Sequence, residues 1–169
     1  MKVLVTYFTK SGNTESLAKA IYDGGIEQKA SIDMLPLKEV QGVDEYDLIF
    51  CGFPVHSSSI PVPVENFIKI IPENKKIAFF ATHGSLRGGP LAITAFHYAI
   101  SIAKKLKVVG TFGCRGAVDP KIIDSLIQNP EYRWWAIEAQ TAGGHPDADE
   151  LDDAKEFAGS MLAKTRRLL

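Results

Sequence analysis

The sequence predicts an α/β domain, a three-layer α/β/α sandwich around a five-stranded parallel sheet. Three observations predict it. Short apolar runs with hardly a polar interruption recur along the chain, as expected of strands covered on both faces. Between them, apolar residues return at spacings of three and four, as on the inner face of a helix. Alternation of the two patterns implies parallel strands joined by right-handed crossovers, which leave few topologies.

The elements follow in order. Residues 2–8 form the first buried strand, which ends in a turn. A helix starts at Asn13, with Leu17 and Ile21 on one face, Ala18 and Ala20 beside them, and Gly24-Gly25 as its stop. A weaker strand covers 30–35 and a second buried strand 46–51. Val64, Phe67, Ile68 and Ile71 then mark a helix opened by the prolines before it. Residues 76–82 make a third buried strand. A Gly-rich stretch leads to a helix with Ala92, Ala95, Phe96, Ala99, Ala103 and Leu106 on one stripe, then a strand at 108–114. The last helix begins near Asp149, with Leu151, Ala154, Ala158, Met161 and Leu162 inward and acids in its first turn. Residues 118–145 exceed what this architecture needs. They begin with a short helix at 120–128 and carry Tyr132, Trp134 and Trp135. The expected role is an extra helix packing its aromatics onto the sheet edge, with a partner or dimer surface as the alternative.

The 169 residues suit a single domain spanning 1–169, and 46% apolar with 23% charged residues is ordinary globular composition. A net charge of −1 with mixed signs leaves no basic face for nucleic acid or an anionic membrane. Lys164, Arg166 and Arg167 are explained by the dipole at a helix end. Cys51 and Cys114 sit in or beside apolar runs without CxxC spacing, so buried thiols in a reducing compartment are expected. The opening apolar run is too short for a secretory core and no stretch approaches twenty apolar residues, so a cytoplasmic location and no membrane are expected.

The first strand ends in Thr9-Lys10-Ser11-Gly12-Asn13-Thr14. Three hydroxyls, the Asn13 amide and the free N–H groups of a helix start would surround one anion, and Gly12 lets the backbone come close. A phosphate is the natural occupant. Neither GxxxxGK[ST] nor GxGxxG is present, so a nucleoside triphosphate and a dinucleotide are poorly supported. T-x-[ST]-G-N-T directly after a first strand resembles the FMN-phosphate loop of flavodoxins, complete at the defining positions. The resemblance implies a flavodoxin-like fold with its strands in the order 2-1-3-4-5, with FMN as cofactor and with Lys10, at the variable position, turned to solvent.

Two further loops resemble that family's flavin loops. After the second buried strand comes Gly52-Phe53-Pro54-Val55-His56-Ser57-Ser58-Ser59, similar to the G-x-P-V segment beside the isoalloxazine. After the third comes Thr82-His83-Gly84-Ser85-Leu86-Arg87-Gly88-Gly89, similar to the loop that meets the pyrimidine edge. Two features depart from the family's electron carriers. No Trp or Tyr stands where one would clamp the ring, and Ser57, Ser58 and Ser59 occupy the place of a Gly beside flavin N5.

Histidines 56, 83, 97 and 145 share no ligand spacing, so no metal is expected, and His97 reads as a surface or boundary residue. No nucleophile elbow occurs. Arg87 between glycines reads as a solvated loop tip in preference to an anion ligand. The resemblance implies electron transfer between a reductase and an acceptor protein, with an FMN-dependent NAD(P)H or quinone-type oxidoreductase as the alternative. A homodimer stays open.

Overall fold

The computed structural model describes residues 1–168. Its strands are β1 (Lys2–Tyr7), β2 (Ser31–Pro36), β3 (Leu48–Pro54), β4 (Lys76–His83) and β5 (Lys107–Arg115), all parallel, in the order β2-β1-β3-β4-β5. The helices are α1 (Asn13–Glu27), α2 (Val62–Ile70), α3 (Pro90–Ile102), α4 (Pro120–Ile127), α5 (Arg133–Gln140) and α6 (Ala148–Arg166).

Alternation along each strand sorts the core into two layers. On β3, Leu48 and Phe50 face α1 and α6, where they meet Leu17, Ile21, Ala154, Ala158 and Leu162. Ile49, Cys51 and Phe53 face the opposite side, packed with Val64, Phe67 and Ile68 of α2 and with Ala95 and Ala99 of α3. The uninterrupted apolar runs of the sequence are these doubly covered strands. Cys51 and Cys114 are buried free thiols, and burial pushes the Cys51 thiol up to about 12.

Two glycine signals had a different meaning from the one expected. Helix α1 does not stop at Gly24-Gly25 but runs through them to Glu27. A Cβ on Gly24 would lie 2.7 Å from the backbone oxygen of Lys155 in α6, and one on Gly25 would lie 2.5 Å from the Ile32 side chain. These glycines make room for neighbours and do not end the helix. Likewise β3 continues past the expected end at Cys51 to Pro54, because Gly52 still pairs with Phe80, whose ring fills the space a Cβ would take at 2.1 Å.

The extra segment contains two helices instead of one. Ile123, Ala136 and Ala139 form a small cluster with Val118, Leu126, Ile127 and Trp135. The expectation of aromatics laid on the sheet edge is thereby corrected. Trp135 joins this separate cluster, while Trp134 and Tyr132 are exposed. Helix α6 starts one residue before the expected Asp149, because Asp147 is its cap. The Asp147 carboxylate accepts from the Glu150 N–H at 2.9 Å and the Glu150 carboxylate accepts from the Asp147 N–H at 3.0 Å. At its other end Lys164 donates to the Val109 carbonyl at 2.5 Å and Arg166 to the Gln28 carbonyl at 3.1 Å. Among the described residues no helix is long and apolar enough to cross a membrane.

Candidate functional site

In open parallel sheets ligands sit beyond the carboxyl ends of the strands, where the strand order reverses. Here that position is shared by the neighbouring strands β1, β3 and β4, whose following loops are the three singled out above. Direct bonds stitch the loops together. Phe8 N–H donates to the Gly52 carbonyl at 3.0 Å, and Val55 N–H donates to the Thr82 carbonyl at 2.9 Å. The hydroxyls of Thr14 and Thr82 share a bond of 2.9 Å.

The loop after β1 is built around Gly12, which caps α1 in a left-handed conformation (φ 92°) that a side chain would strain. The first helical bond runs from Ser16 N–H to the Gly12 carbonyl, so the N–H groups of Asn13, Thr14 and Glu15 have no partner within the helix. Gly12 N–H is itself held by the Thr9 hydroxyl oxygen at 3.0 Å. Ser11 and Lys10 are exposed, the latter as expected. Thr14 is buried against Thr82, and the Asn13 amide donates to the Ala117 carbonyl at 2.8 Å. Side chains thus shape the turn, while three backbone N–H groups and the Ser11 hydroxyl stay available to an anion. That donor set fits a phosphate at the positive end of a helix.

After β3, His56 and Ser59 exchange both backbone bonds, at 3.0 and 2.8 Å, around Ser57 (φ 47°) and Ser58 (φ 61°). Two consecutive positive φ values define a tight turn of a kind that favours Asn-Gly. Each serine pays about 1–2 kcal/mol for this conformation, against about 0.5–1 kcal/mol of extra chain entropy for glycine. Ser58→Gly is therefore expected to stabilise the protein by about 0.5–1 kcal/mol in denaturant unfolding. A loss of stability would show that the Ser58 side chain makes a compensating contact. Partial burial, and secondarily the Lys10 charge, lower the His56 pKa, which keeps its ring neutral at pH 7.

Strand β4 runs one residue past the expected end, through His83, so Thr82 and His83 belong to the strand. They and Gly84 and Ser85 beyond them are buried, whereas Leu86, Arg87 and Gly88 form an exposed tip with Gly89 behind it. Burial lowers the His83 pKa, and its Nδ1 lies 3.0 Å from the Ser85 carbonyl, the geometry of a neutral ring donating from that nitrogen. The Ser85 hydroxyl is buried without a protein partner. Arg87 is exposed as expected of a tip, and it also pairs with Asp153 at 2.7 Å and lies over the Phe112 ring at 5.4 Å.

Two contributors escaped the sequence reading. Arg115, the last residue of β5, is buried and donates to the carbonyls of Gly84, Glu138 and Thr141. Glu138 of α5 accepts from the Leu86 N–H. Neither has a local motif, since the partners of each are far apart in sequence. A cleft of about 690 Å³ is walled by Phe8, Leu37, Val40, Phe67 and Ile70 and reaches Thr9. There Tyr7 donates to Glu15 at 2.8 Å, and burial followed by that carboxylate raises the phenol to about 12. His145, Asp147 and Glu150 converge at the start of α6. Their carboxylates already serve the capping bonds, His145 Nδ1 at 2.7 Å and the Arg115 N–H at 3.0 Å.

The flavodoxin-domain model matches residues 4–159. The chain belongs to the flavodoxin-domain family. The flavodoxin-like domain-containing protein BilS of Clostridioides difficile is 30% identical over 97% of this chain and 98% of that protein. An NAD(P)H dehydrogenase (quinone) of Acidovorax ebreus is 22% identical over 99% of this chain and 98% of its own length. Among solved structures, a flavodoxin from the domain Archaea superposes with a TM-score of 0.65 at 18% identity, covering 98% of this chain and 99% of its own. FMN is the cofactor of this family. The stitched loops, the free N–H groups at α1 and the inward Ser85 hydroxyl are compatible with it.

Proposed function

We propose that this flavodoxin-domain protein binds FMN and passes electrons between a reductase and an acceptor protein. The phosphate is assigned to the loop from Thr9 to Thr14, held by the N–H groups of Asn13, Thr14 and Glu15 and the Ser11 hydroxyl. The ring is assigned to Pro54, Val55, His56, Ser57, Ser58 and Ser59 on one side and to Thr82, His83, Gly84, Ser85, Gly88 and Gly89 on the other. When bound, FMN supplies the redox chemistry, and the chain supplies binding and orientation. Neutral His56 and His83 bring no positive charge to this assembly at pH 7.

The observation that carries the electron-transfer reading is the exposure of both ring-loop tips, at Ser57 and at Leu86, Arg87 and Gly88. Exposed tips suit electron exchange across a transient protein contact. The near full-length similarity to a relative named as a quinone dehydrogenase favours the second reading, hydride transfer from NAD(P)H to a small acceptor.

Reconstitution with FMN followed by anaerobic addition of NADPH or NADH separates the two. Loss of visible absorbance only when a flavoprotein reductase is also present supports the carrier. Rapid loss with the nicotinamide alone, sustained by an added quinone, supports the reductase. A protein that takes up no FMN refutes both.

A further inference from the structure

We infer that the 118–145 segment is a buttress for the second ring loop, with Arg115 and Glu138 as its positioning residues. The inference rests on the FMN reading and deepens it, since it concerns what fixes one wall of the same site.

Three contacts meet on two residues of that loop, Gly84 and Leu86, and all involve its backbone or a position that must be bare. The Arg115 guanidinium reaches the Gly84 carbonyl at 3.4 Å while donating to the Thr141 carbonyl at 3.0 Å, the Glu138 carbonyl at 3.0 Å and the Thr141 hydroxyl at 2.8 Å. At Gly84 itself a Cβ would fall 2.6 Å from Val118, 3.2 Å from Trp135 and 3.3 Å from Ala139. Beyond it, the Glu138 carboxylate takes the Leu86 N–H. Residues 84 to 86 are therefore held from α5 and from the end of β5.

Arg115 is unusual in its own right. It is buried, and among the described residues no carboxylate lies within ion-pair distance of its guanidinium. A buried charge of this kind persists only where good acceptors replace water, and here three carbonyls and the Thr141 hydroxyl do so at the two terminal nitrogens, while Nε has no protein partner. The planar fork of Arg reaches acceptors on two segments at once, which the single ammonium of Lys does not. The cluster around Ile123, Ala136 and Ala139 is separate from the two main layers, so it can align the loop without holding the sheet together.

The test is titration of apoprotein with FMN and with riboflavin, for wild type, Glu138→Ala, Glu138→Gln and Arg115→Lys. Loss of the charged acceptor at Leu86 is expected to weaken both ligands by the same factor, about tenfold, because the ring is common to both. Glu138→Gln should recover part of the loss, and the melting temperature of the Glu138→Ala apoprotein should stay near wild type. Arg115→Lys should weaken both ligands as well, with a shift in the visible band of bound flavin. Unchanged affinity in the Glu138 and Arg115 variants, or loss of FMN alone, overturns the inference while leaving the FMN reading intact. A wild type that binds neither ligand overturns both.

Discussion

Alanine at Gly24 is expected to destabilise the protein by about 2 kcal/mol, although the residue lies inside a helix where Gly→Ala usually gains about 1 kcal/mol. The reversal comes from the neighbour. A Cβ at Gly24 would stand 2.7 Å from the Lys155 carbonyl oxygen and 2.8 Å from its Cα, both backbone atoms that cannot swing aside. Helices α1 and α6 would have to separate, opening the layer in which Leu17 and Ile21 meet Ala154 and Ala158. Overpacking costs about 1–3 kcal/mol, and against backbone that cannot swing aside the upper figure applies, so about 3 less the propensity gain of about 1 leaves about 2 kcal/mol. Gly159 in α6 is the control, because its nearest neighbour is the Gln28 side chain at 3.6 Å, ordinary contact with a flexible group. Gly159→Ala should stabilise by about 0.5–1 kcal/mol. Thermal unfolding reads both, with Gly24→Ala lowering the midpoint by about 4–8 °C for a domain of this size. Equal signs at the two positions would show that the α1–α6 contact is slack.

The same pair of glycines shows where the sequence was readable. Strand and helix identity were legible because burial on both faces writes itself as a continuous apolar run and one buried helix face as a spacing of three and four. Order 2-1-3-4-5 came with the resemblance of the loop after β1 to that of flavodoxins. Element ends were not legible at Gly24, Gly25 and Gly52. A glycine that breaks a helix and one that admits Lys155 or Phe80 look alike until the distant neighbour is known. The glycine-capped helix start from Thr9 to Thr14 was legible because its residues are contiguous. Arg115 was not, since its value lies in carbonyls at Gly84, Glu138 and Thr141, and an Arg at a strand end is otherwise commonplace. Trp134 and Trp135 were visible as unusual residues, but only the fold separates the packed one from the exposed one.

The structure also sharpens what the phosphate loop must show in solution. Removing both hydroxyls, Ser11→Ala with Thr14→Ala, is expected to weaken FMN by about tenfold if Ser11 alone donates to the phosphate and by about a hundredfold or more if Thr14 donates too, since a hydrogen bond to a charged group contributes about 1.5–3 kcal/mol. Riboflavin, which lacks the phosphate, should change by less than about threefold, a difference of about 0.6 kcal/mol. The two hydroxyls are not equivalent. Ser11 is exposed and free to turn toward an anion, whereas Thr14 is buried with its oxygen 2.9 Å from that of Thr82. A hydroxyl has one proton to give and two lone pairs to offer. If Thr82 donates to Thr14, the Thr14 proton is left for the phosphate, and Thr82 becomes the group that orients it. Thr82→Val should then weaken FMN by about tenfold more than it weakens riboflavin, the pattern of Thr14→Ala in milder form. If Thr14 instead donates to Thr82, Thr14→Ala alone will leave the FMN-to-riboflavin ratio unchanged and Ser11→Ala will carry the whole effect. Equal weakening of both ligands by the double variant would remove the phosphate from this loop altogether. Calorimetric titration of the single and double variants with the two ligands distinguishes these outcomes, because the ratio cancels any general loss of folding and isolates the end of the ligand that each hydroxyl touches.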